Sequence, residues 1–188
     1  MTNRIYNYCA FYVKEDDKKT NLGAFSQKDF CYYNMIKAWQ ATENINFHDA
    51  HGITYSVRDT SDWEKTLKPR LHERLNNSKN IILILSSNTI NSRALREEIE
   101  YGIGELELPV IVIYPDYKEK KEIYKDKKII EPIRELWNAI PKFRELEYKV
   151  PVLHIPLNKV IIKKALNNKK FEINTKREPG NYYYKTKE

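Results

Sequence analysis

The stretch Asn80-Ile81-Ile82-Leu83-Ile84-Leu85 is the strongest strand pattern in this 188-residue chain. Such an unbroken apolar run is expected at the centre of a parallel sheet covered on both faces, because a strand with one wet face alternates apolar and polar residues. Ser86-Ser87-Asn88-Thr89 follows directly and supplies the side chains that favour a turn and a helix N-cap. The pattern predicts a central strand that leads into a helix.

Short β-branched or aromatic runs alternate with longer helical patterns on both sides of this strand, which is typical of a parallel sheet with crossover helices. Strands are expected at residues 5–13, 45–48 (weak), 80–85, 108–114 and 149–155. Helices are expected at about 26–40, 62–75, 90–104 and 157–168, and a short helix is expected to open with Glu131-Pro132. These elements predict a flavodoxin-like, doubly wound α/β fold whose five-stranded parallel sheet has the strand order 2-1-3-4-5.

Composition limits the class of protein. Apolar residues make up 41% of the chain and charged residues 31%, so a chain of this length buries a core and is not disordered. The apolar runs 81–85 and 110–114 have five residues each, against about 20 for a membrane-spanning helix. The residues after Met1 lack the apolar stretch of a secretory signal. We therefore expect a cytoplasmic protein that does not enter a membrane.

Basic charge is concentrated near the end of the chain. The net charge of +7 suits nucleic acid, an anionic surface or a phosphorylated small molecule. Lysines are mixed with acids over residues 118–135, however, so we do not expect nucleic acid as a partner for the body of the chain. We predict one domain over residues 1–168 and a basic, tyrosine-rich tail over 169–188. The tail is interpreted as solvated, with an RNA or partner contact as the alternative.

Metal and cysteine chemistry is not indicated. Cys9 and Cys31 have no zinc-like spacing with the four histidines, so we interpret them as free thiols and expect no metal. We interpret His48 and His51, which flank Asp49, as loop residues rather than as proton shuttles or ribose contacts.

The fold class narrows the search for a site. No Walker-type loop, dinucleotide fingerprint or nucleophile elbow occurs in the sequence. Open parallel sheets bind ligands beyond the carboxyl ends of their strands, near the switch point in strand order. The candidate segments are therefore the loops that begin at Val13, Asp49 and Ser86, together with the first turns of the third helix.

That third helix carries three acids that differ in position. At about 100° per residue, its apolar stripe is formed by Leu95, Ile99, Gly102, Ile103 and Leu106. Glu97 and Glu100 lie off the stripe, whereas Glu98 lies at its edge and is the one acid placed for chemistry. The alternative for Glu98 is a surface acid paired with a lysine or arginine.

Three segments resemble a known family. They are Tyr8-Cys-Ala-Phe-Tyr-Val13 with Glu15-Asp-Asp17, the block of residues 80–99, and Leu108-Pro-Val-Ile-Val-Ile113. In order and spacing they are similar to Toll/interleukin-1 receptor (TIR) domains, and specifically to the TIR-like domain of bacterial Thoeris antiphage systems. The resemblance covers about residues 5–168. Members of that group sense infection and convert NAD into an ADP-ribose-derived signal.

The resemblance implies roles for individual residues. The family's catalytic glutamate falls on Glu98, four residues after a position that is often tryptophan in the family and is Ala94 here. The family's contacts at the end of the first strand fall on Phe11, Tyr12 and Val13, of which Phe11 is expected in the core. The expected substrate-binding set consists of these three residues, of Ala94, and of Asp49 and Ser86, the residues at which the other two candidate loops begin.

These observations lead to one hypothesis and two alternatives. We expect a TIR-like NAD glycohydrolase or ADP-ribosyl cyclase that takes NAD as substrate and needs no cofactor. The resemblance implies self-association of TIR domains on activation, and a diffusible nucleotide that activates a partner effector. The first alternative is a non-catalytic TIR scaffold that acts by homotypic contacts. The second is a flavodoxin-like nucleotide-binding domain unrelated to NAD hydrolysis.

Overall fold

The computed structural model describes residues 4–12, 28–43, 45–52, 62–126 and 128–184. Its strands are β1 (Tyr6–Ala10), β2 (Ser78–Ile84), β3 (Val110–Tyr114), β4 (Tyr124–Lys125), β5 (Lys128–Ile129), β6 (Pro151–Pro156) and β7 (Gly180–Tyr183). Its α-helices are α1 (Lys28–Glu43), α2 (Lys68–Asn76), α3 (Arg93–Ile99), α4 (Glu131–Trp137), α5 (Pro141–Leu146) and α6 (Lys159–Leu166).

Five of the strands form one parallel sheet in the order β1-β2-β3-β6-β7. The other two, β4 and β5, form a short antiparallel hairpin. Every residue of β2 and β3 is buried, as a sheet covered on both faces requires. The predicted α/β class and the five-stranded parallel sheet are confirmed.

Helices cover both faces of the sheet, and the strand residues alternate between two cores. Ile81 and Leu83 of β2 face one core, while Ile82 and Ile84 face the other. The first core receives Leu71 of α2, Leu95 of α3, Ile133 of α4 and Phe143 of α5. The second receives Tyr33 and Ile36 of α1 and Ile161 and Ala165 of α6. The doubly wound arrangement follows from this division.

Side-chain caps mark the start of two helical segments. Asp62 caps a stretch of wide π-type turns, Trp63–Leu67, and α2 then begins with Pro69 in its first turn. A proline is tolerated there because the first backbone N–H groups of a helix have no partner within it. Ser92 accepts a hydrogen bond from the Leu95 backbone N–H and caps α3. The helix α3 continues into wide turns at Glu100–Glu105.

The expected second strand at residues 45–48 is not formed. Its segment lies beside β1 but contributes a single parallel bridge, between Asn7 and Asp49. The Asn7 side chain accepts a hydrogen bond from the His48 backbone N–H and donates one to Asn80 Oδ1. The chain then turns into a 3₁₀ helix at Ala50–Gly52. The Asn7 side chain therefore accepts a backbone hydrogen bond that a neighbouring strand would have accepted in a β-ladder. The segment does not continue as a strand.

The expectation of a solvated tail from residue 169 is wrong for residues up to Tyr184. Phe171 is buried in the second core, and β7 pairs with β6 to form the far edge of the sheet. The Tyr183 ring stacks on Tyr124 with ring centres 4.4 Å apart. The fifth strand of the sheet thus comes from the end of the chain and not from residues 45–48.

A chain of directed hydrogen bonds attaches β7 to the first core. Trp137 Nε1 donates to Tyr114 Oη at 2.9 Å, and Tyr114 and His154 Nδ1 are 2.7 Å apart. On the other side, His154 Nε2 lies 2.7 Å from Asn181 Oδ1, and Asn181 Nδ2 donates to Glu147. An amide oxygen only accepts, so Nε2 carries the proton and Nδ1 accepts from Tyr114. Burial lowers the pKa of His154 to about 4, which keeps the ring neutral.

We expect Asn181→Ala to lower the free energy of unfolding by ~1–2 kcal/mol, because a buried His154 N–H loses its acceptor. Urea unfolding at pH 7 measures the change. The control is Asn76→Ala, which removes an exposed asparagine that donates to Tyr101 Oη and should change stability by less than ~0.5 kcal/mol. Equal losses in the two variants would contradict the role assigned to Asn181.

Candidate active site

Glu98 lies inside the protein on α3. Its residue surface is 9% exposed, and its neighbours Leu95 and Ile99 are buried in the first core. The other two acids of the helix lie differently: Glu97 pairs with Lys68 and His72 at 3.3 and 2.7 Å, and the Glu100 side chain is 53% exposed. The helical periodicity therefore separated the three acids as expected.

The two carboxylate oxygens of Glu98 have different surroundings. Tyr8 Oη donates a hydrogen bond to Oε1 at 2.8 Å, across 90 residues of sequence. The other oxygen, Oε2, is buried and has no hydrogen-bond partner among the described residues. Burial raises the pKa of Glu98 to about 8, although the Tyr8 hydrogen bond and the positive charge of Arg74 oppose the shift. Glu98 is therefore a buried acid with one oxygen uncommitted.

His51 and Arg74 border Tyr8. The His51 ring centre is 4.9 Å from that of Tyr8, and His51 Nε2 lies 2.9 Å from the Cys9 carbonyl oxygen. Because a carbonyl only accepts, Nε2 carries the proton, and Nδ1 is left to accept from Arg74 Nη1 at 3.3 Å. Burial lowers the pKa of His51, so this ring stays neutral at pH 7.

Asp49 is committed to contacts within the protein. Its carboxylate accepts hydrogen bonds from Tyr33 Oη at 2.6 Å and from the His51 backbone N–H at 2.9 Å, and it pairs with Lys37 at 3.3 Å. Phe11, at the end of β1, stacks on Tyr33 with ring centres 5.0 Å apart. These contacts join the 45–52 segment to α1 and to the end of β1.

Ser86 is also held by the protein itself. Its hydroxyl donates to Asp29 at 2.6 Å and accepts from the Asn88 backbone N–H at 3.1 Å. Thr89 Oγ1 donates to the other oxygen of Asp29, and the Tyr12 backbone bonds to the same carboxylate. Burial raises the pKa of Asp29 despite these hydrogen bonds. Asp29 thus ties the start of α1 to the ends of β1 and β2.

The predicted site residues divide into three groups. Glu98 is buried beside β1, with half-buried Ala94 one helical turn earlier. Phe11 and Tyr12 are half-buried at the end of β1, and Ser86 follows β2. Asp49 lies beside Asn7, near the start of β1. The side chains of Asp49 and Ser86 are both engaged within the protein. Val13 lies outside the described residues. Substrate binding by these residues remains a prediction.

Sequence reasoning assigned no role to Tyr8, Asp29 and Arg74, and it interpreted His51 as a loop residue. The side-chain hydrogen bonds Tyr8–Glu98, Asp29–Ser86 and His51–Arg74 span 90, 57 and 23 residues of sequence, so no local pattern marks them. One signal was present for Tyr8, since a tyrosine inside a buried strand needs a partner for its hydroxyl. Among the described residues, no group of three or more histidine, cysteine, aspartate or glutamate side chains could hold a metal ion.

A doubly wound parallel sheet, with a buried glutamate on the helix that follows β2, is consistent with a TIR-like domain. A family model described as the Thoeris protein ThsB, TIR-like domain, matches residues 8–120, which is more than half of the chain. The chain belongs to this family. The match includes Tyr8, Asp49, Ser86 and Glu98. Within the residues that the structure describes, no helix is long and apolar enough to cross a bilayer.

The buried acid has a consequence for stability. The ordinary pKa of a glutamate is 4.5, and burial raises that of Glu98 to about 8. Between these values the folded protein holds a proton that the unfolded chain has released, so stability falls as the pH rises through this window. Glutamine cannot titrate and does not carry this loss. The free energy of unfolding of Glu98→Gln, relative to the parent, should therefore increase by ~2–4 kcal/mol from pH 5 to pH 8.

Urea unfolding of both proteins at pH 5 and pH 8 measures this increase. Glu100→Gln is the matched control, because it makes the same chemical change on an exposed side chain of the same helical segment. Its difference from the parent should be the same at both pH values. If Glu98→Gln behaves like this control, Glu98 is not an acid whose charge is opposed by burial.

Proposed function

We propose that this protein cleaves NAD between nicotinamide and ribose, with Glu98 as the essential group, and that the product is an ADP-ribose-derived signal of Thoeris defence. One observation carries the proposal: a buried carboxylate, anchored through one oxygen, has its second oxygen without a hydrogen-bond partner among the described residues. A surface ion pair, the alternative for this residue, has the opposite features. Family membership supports the defence context.

The chemistry needs one carboxylate and no general acid. The glycosidic C–N bond breaks, its electron pair leaves with nicotinamide, and positive charge develops on the ribose ring as in glycoside hydrolysis. Nicotinamide departs as a neutral base, so its ring nitrogen needs no proton. An ionised Glu98 would stabilise the developing cation and accept hydrogen bonds from the ribose hydroxyls. No metal or cofactor takes part in this scheme.

The ionisation of Glu98 depends on the substrate. With a pKa of about 8, roughly a tenth of the molecules carry the charge at pH 7. The pyridinium ring of NAD brings a positive charge near the carboxylate, which favours the ionised form. Binding of the correct substrate would thus generate the charge that the reaction uses, and the empty site would keep the group largely neutral.

The nucleophile decides the product. Attack by water gives ADP-ribose, whereas a site that excludes water and directs another nucleophile to the anomeric carbon gives a cyclic or conjugated ADP-ribose. The net charge of +7 is compatible with binding a pyrophosphate. In this proposal the nucleotide diffuses to a partner effector, and self-association of the TIR-like domains accompanies activation.

We expect purified protein, concentrated or supplied with lysate of phage-infected cells, to consume NAD and release nicotinamide. Glu98→Gln should reduce the rate at least ~100-fold, because a neutral amide cannot stabilise the sugar cation. Chromatography of nicotinamide and mass spectrometry of the nucleotide measure the reaction. Glu100→Gln, on the same helical segment, should keep the parental rate.

The result also tests the alternative of a non-catalytic scaffold. A scaffold acting by homotypic contacts would leave NAD unchanged under every activating condition, in the parent and in the variants. Equal NAD consumption by the parent and Glu98→Gln would show that another group carries the reaction. Both outcomes contradict the proposal, and the first supports the scaffold.

The rate should depend on pH in a defined direction. The value of kcat/KM reports the free enzyme, so it should rise up to about tenfold per pH unit below pH 8 and level off above it, as Glu98 ionises. The rise of kcat with increasing pH should occur at a lower pH than that of kcat/KM, because bound NAD favours the ionised carboxylate. Initial rates from pH 5.5 to 9.5 measure both profiles. A kcat/KM profile that is flat or falling between pH 6 and pH 8 would contradict the assignment.

A further inference from the structure

The Tyr8 side chain is buried and packed against its neighbours. It lies in the interior of β1, opposite Ile81 of β2, and only 1% of its surface is exposed. The His51 ring packs against it with ring centres 4.9 Å apart. A fully buried ring has little freedom to change rotamer, because interiors are closely packed. The hydroxyl of Tyr8 therefore occupies one position.

That position is within hydrogen-bond distance of Glu98. Tyr8 Oη donates to Oε1 at 2.8 Å, and the bond joins the central part of β1 to α3. Burial and the nearby carboxylate keep the pKa of the Tyr8 phenol well above its ordinary value, so the group remains a donor. The carboxylate cannot turn about its Cγ–Cδ bond without losing this hydrogen bond. Oε2 is then the oxygen that remains for a ligand.

We propose that Tyr8 is the positioning residue of Glu98: its hydroxyl anchors Oε1, fixes the plane of the carboxylate and leaves Oε2 to accept from the substrate ribose. This role rests on the proposed function, because Glu98 must be the reacting carboxylate for its orientation to matter. Tyr8 itself acts through Glu98 and need not touch substrate.

The same hydrogen bond also affects the charge of Glu98. A donor to a carboxylate stabilises its ionised form, which opposes the effect of burial. The other titratable groups that face this region from packed elements are Arg74 of α2 and His51, whose neutral ring packs against Tyr8. Cys9 of β1 is coupled to Glu98 electrostatically, but its side chain lies in the second core on the opposite face of the sheet. Among the described residues, Tyr8 is the group that donates a hydrogen bond to Glu98.

The test is Tyr8→Phe, which keeps the ring and removes the donor. The pKa of Glu98 is followed by NMR titration with carboxyl-labelled glutamate, and its signal is assigned by comparison with Glu98→Gln. Loss of a hydrogen bond to a charged group should raise the titration midpoint by about 1–2 pH units. The kcat/KM profile for NAD should move to higher pH by the same amount, with the loss at pH 7 largely recovered at high pH.

Tyr114→Phe is the matched control. It also removes the hydroxyl of a fully buried tyrosine, one that is bonded to Trp137 and His154 instead of Glu98. This control separates general destabilisation from the proposed effect, since neither the Glu98 midpoint nor the pH profile should move. A Tyr8→Phe protein whose midpoint and profile match those of Tyr114→Phe would overturn the proposal, even if its activity were low.

A second substitution tests the role without removing the hydroxyl. Site-specific 3,5-difluorotyrosine at position 8 has a more acidic phenol and is a stronger donor, so the Glu98 midpoint should move to lower pH. An unmoved or raised midpoint overturns the proposal. The NMR readout needs no turnover, so the anchoring of Glu98 is tested even if no NAD is cleaved. A moved midpoint without any NAD cleavage would refute the proposed function and, with it, the positioning role in catalysis.

Discussion

Burial of both faces of the sheet is the constraint from which the rest of the structure follows. All residues of β2 are buried, so the helix after it must pack back onto the sheet. Leu95 and Ile99 make that contact, and Glu98, which lies between them on the helix, is brought into the interior with them. The position of the candidate catalytic acid is thus a consequence of how α3 covers the first core.

A carboxylate in this position lowers the stability of the protein at neutral pH. Burial opposes its charge, and a single hydrogen bond from Tyr8 with the nearby charge of Arg74 offsets only part of that effect. A protein with an apolar residue at the same position would be more stable at neutral pH. Groups that are unfavourable in the folded state and have a strongly shifted pKa are concentrated at functional sites. The unfavourable burial of Glu98 and its raised pKa are therefore what a functional site at this position would show.

The far edge of the sheet follows a different principle, in which buried polar groups are fully paired. Residues from β3, α4, β6 and β7 form one chain of hydrogen bonds around His154, and each donor meets an acceptor. Such a network specifies one register for an added strand, because a shift of one residue would turn Asn181 away from His154. Glu98 is the contrast within the same fold, because its Oε2 has no hydrogen-bond partner in the part of the chain that the structure describes.

The sequence by itself determined the fold class, four of the five parallel strands and the separation of the three acids on the third helix. These features depend on local periodicity, and periodicity is visible in one segment at a time. Tertiary structure alone decided that residues 45–48 form no strand and that Asp49 makes a single bridge. It also decided that β7 completes the sheet, and that Tyr8, His51, Arg74 and Asp29 hold the candidate site. Each of these outcomes depends on a contact between residues far apart in the chain. Such contacts arise only when packing brings polar groups together in the interior, where each requires a partner.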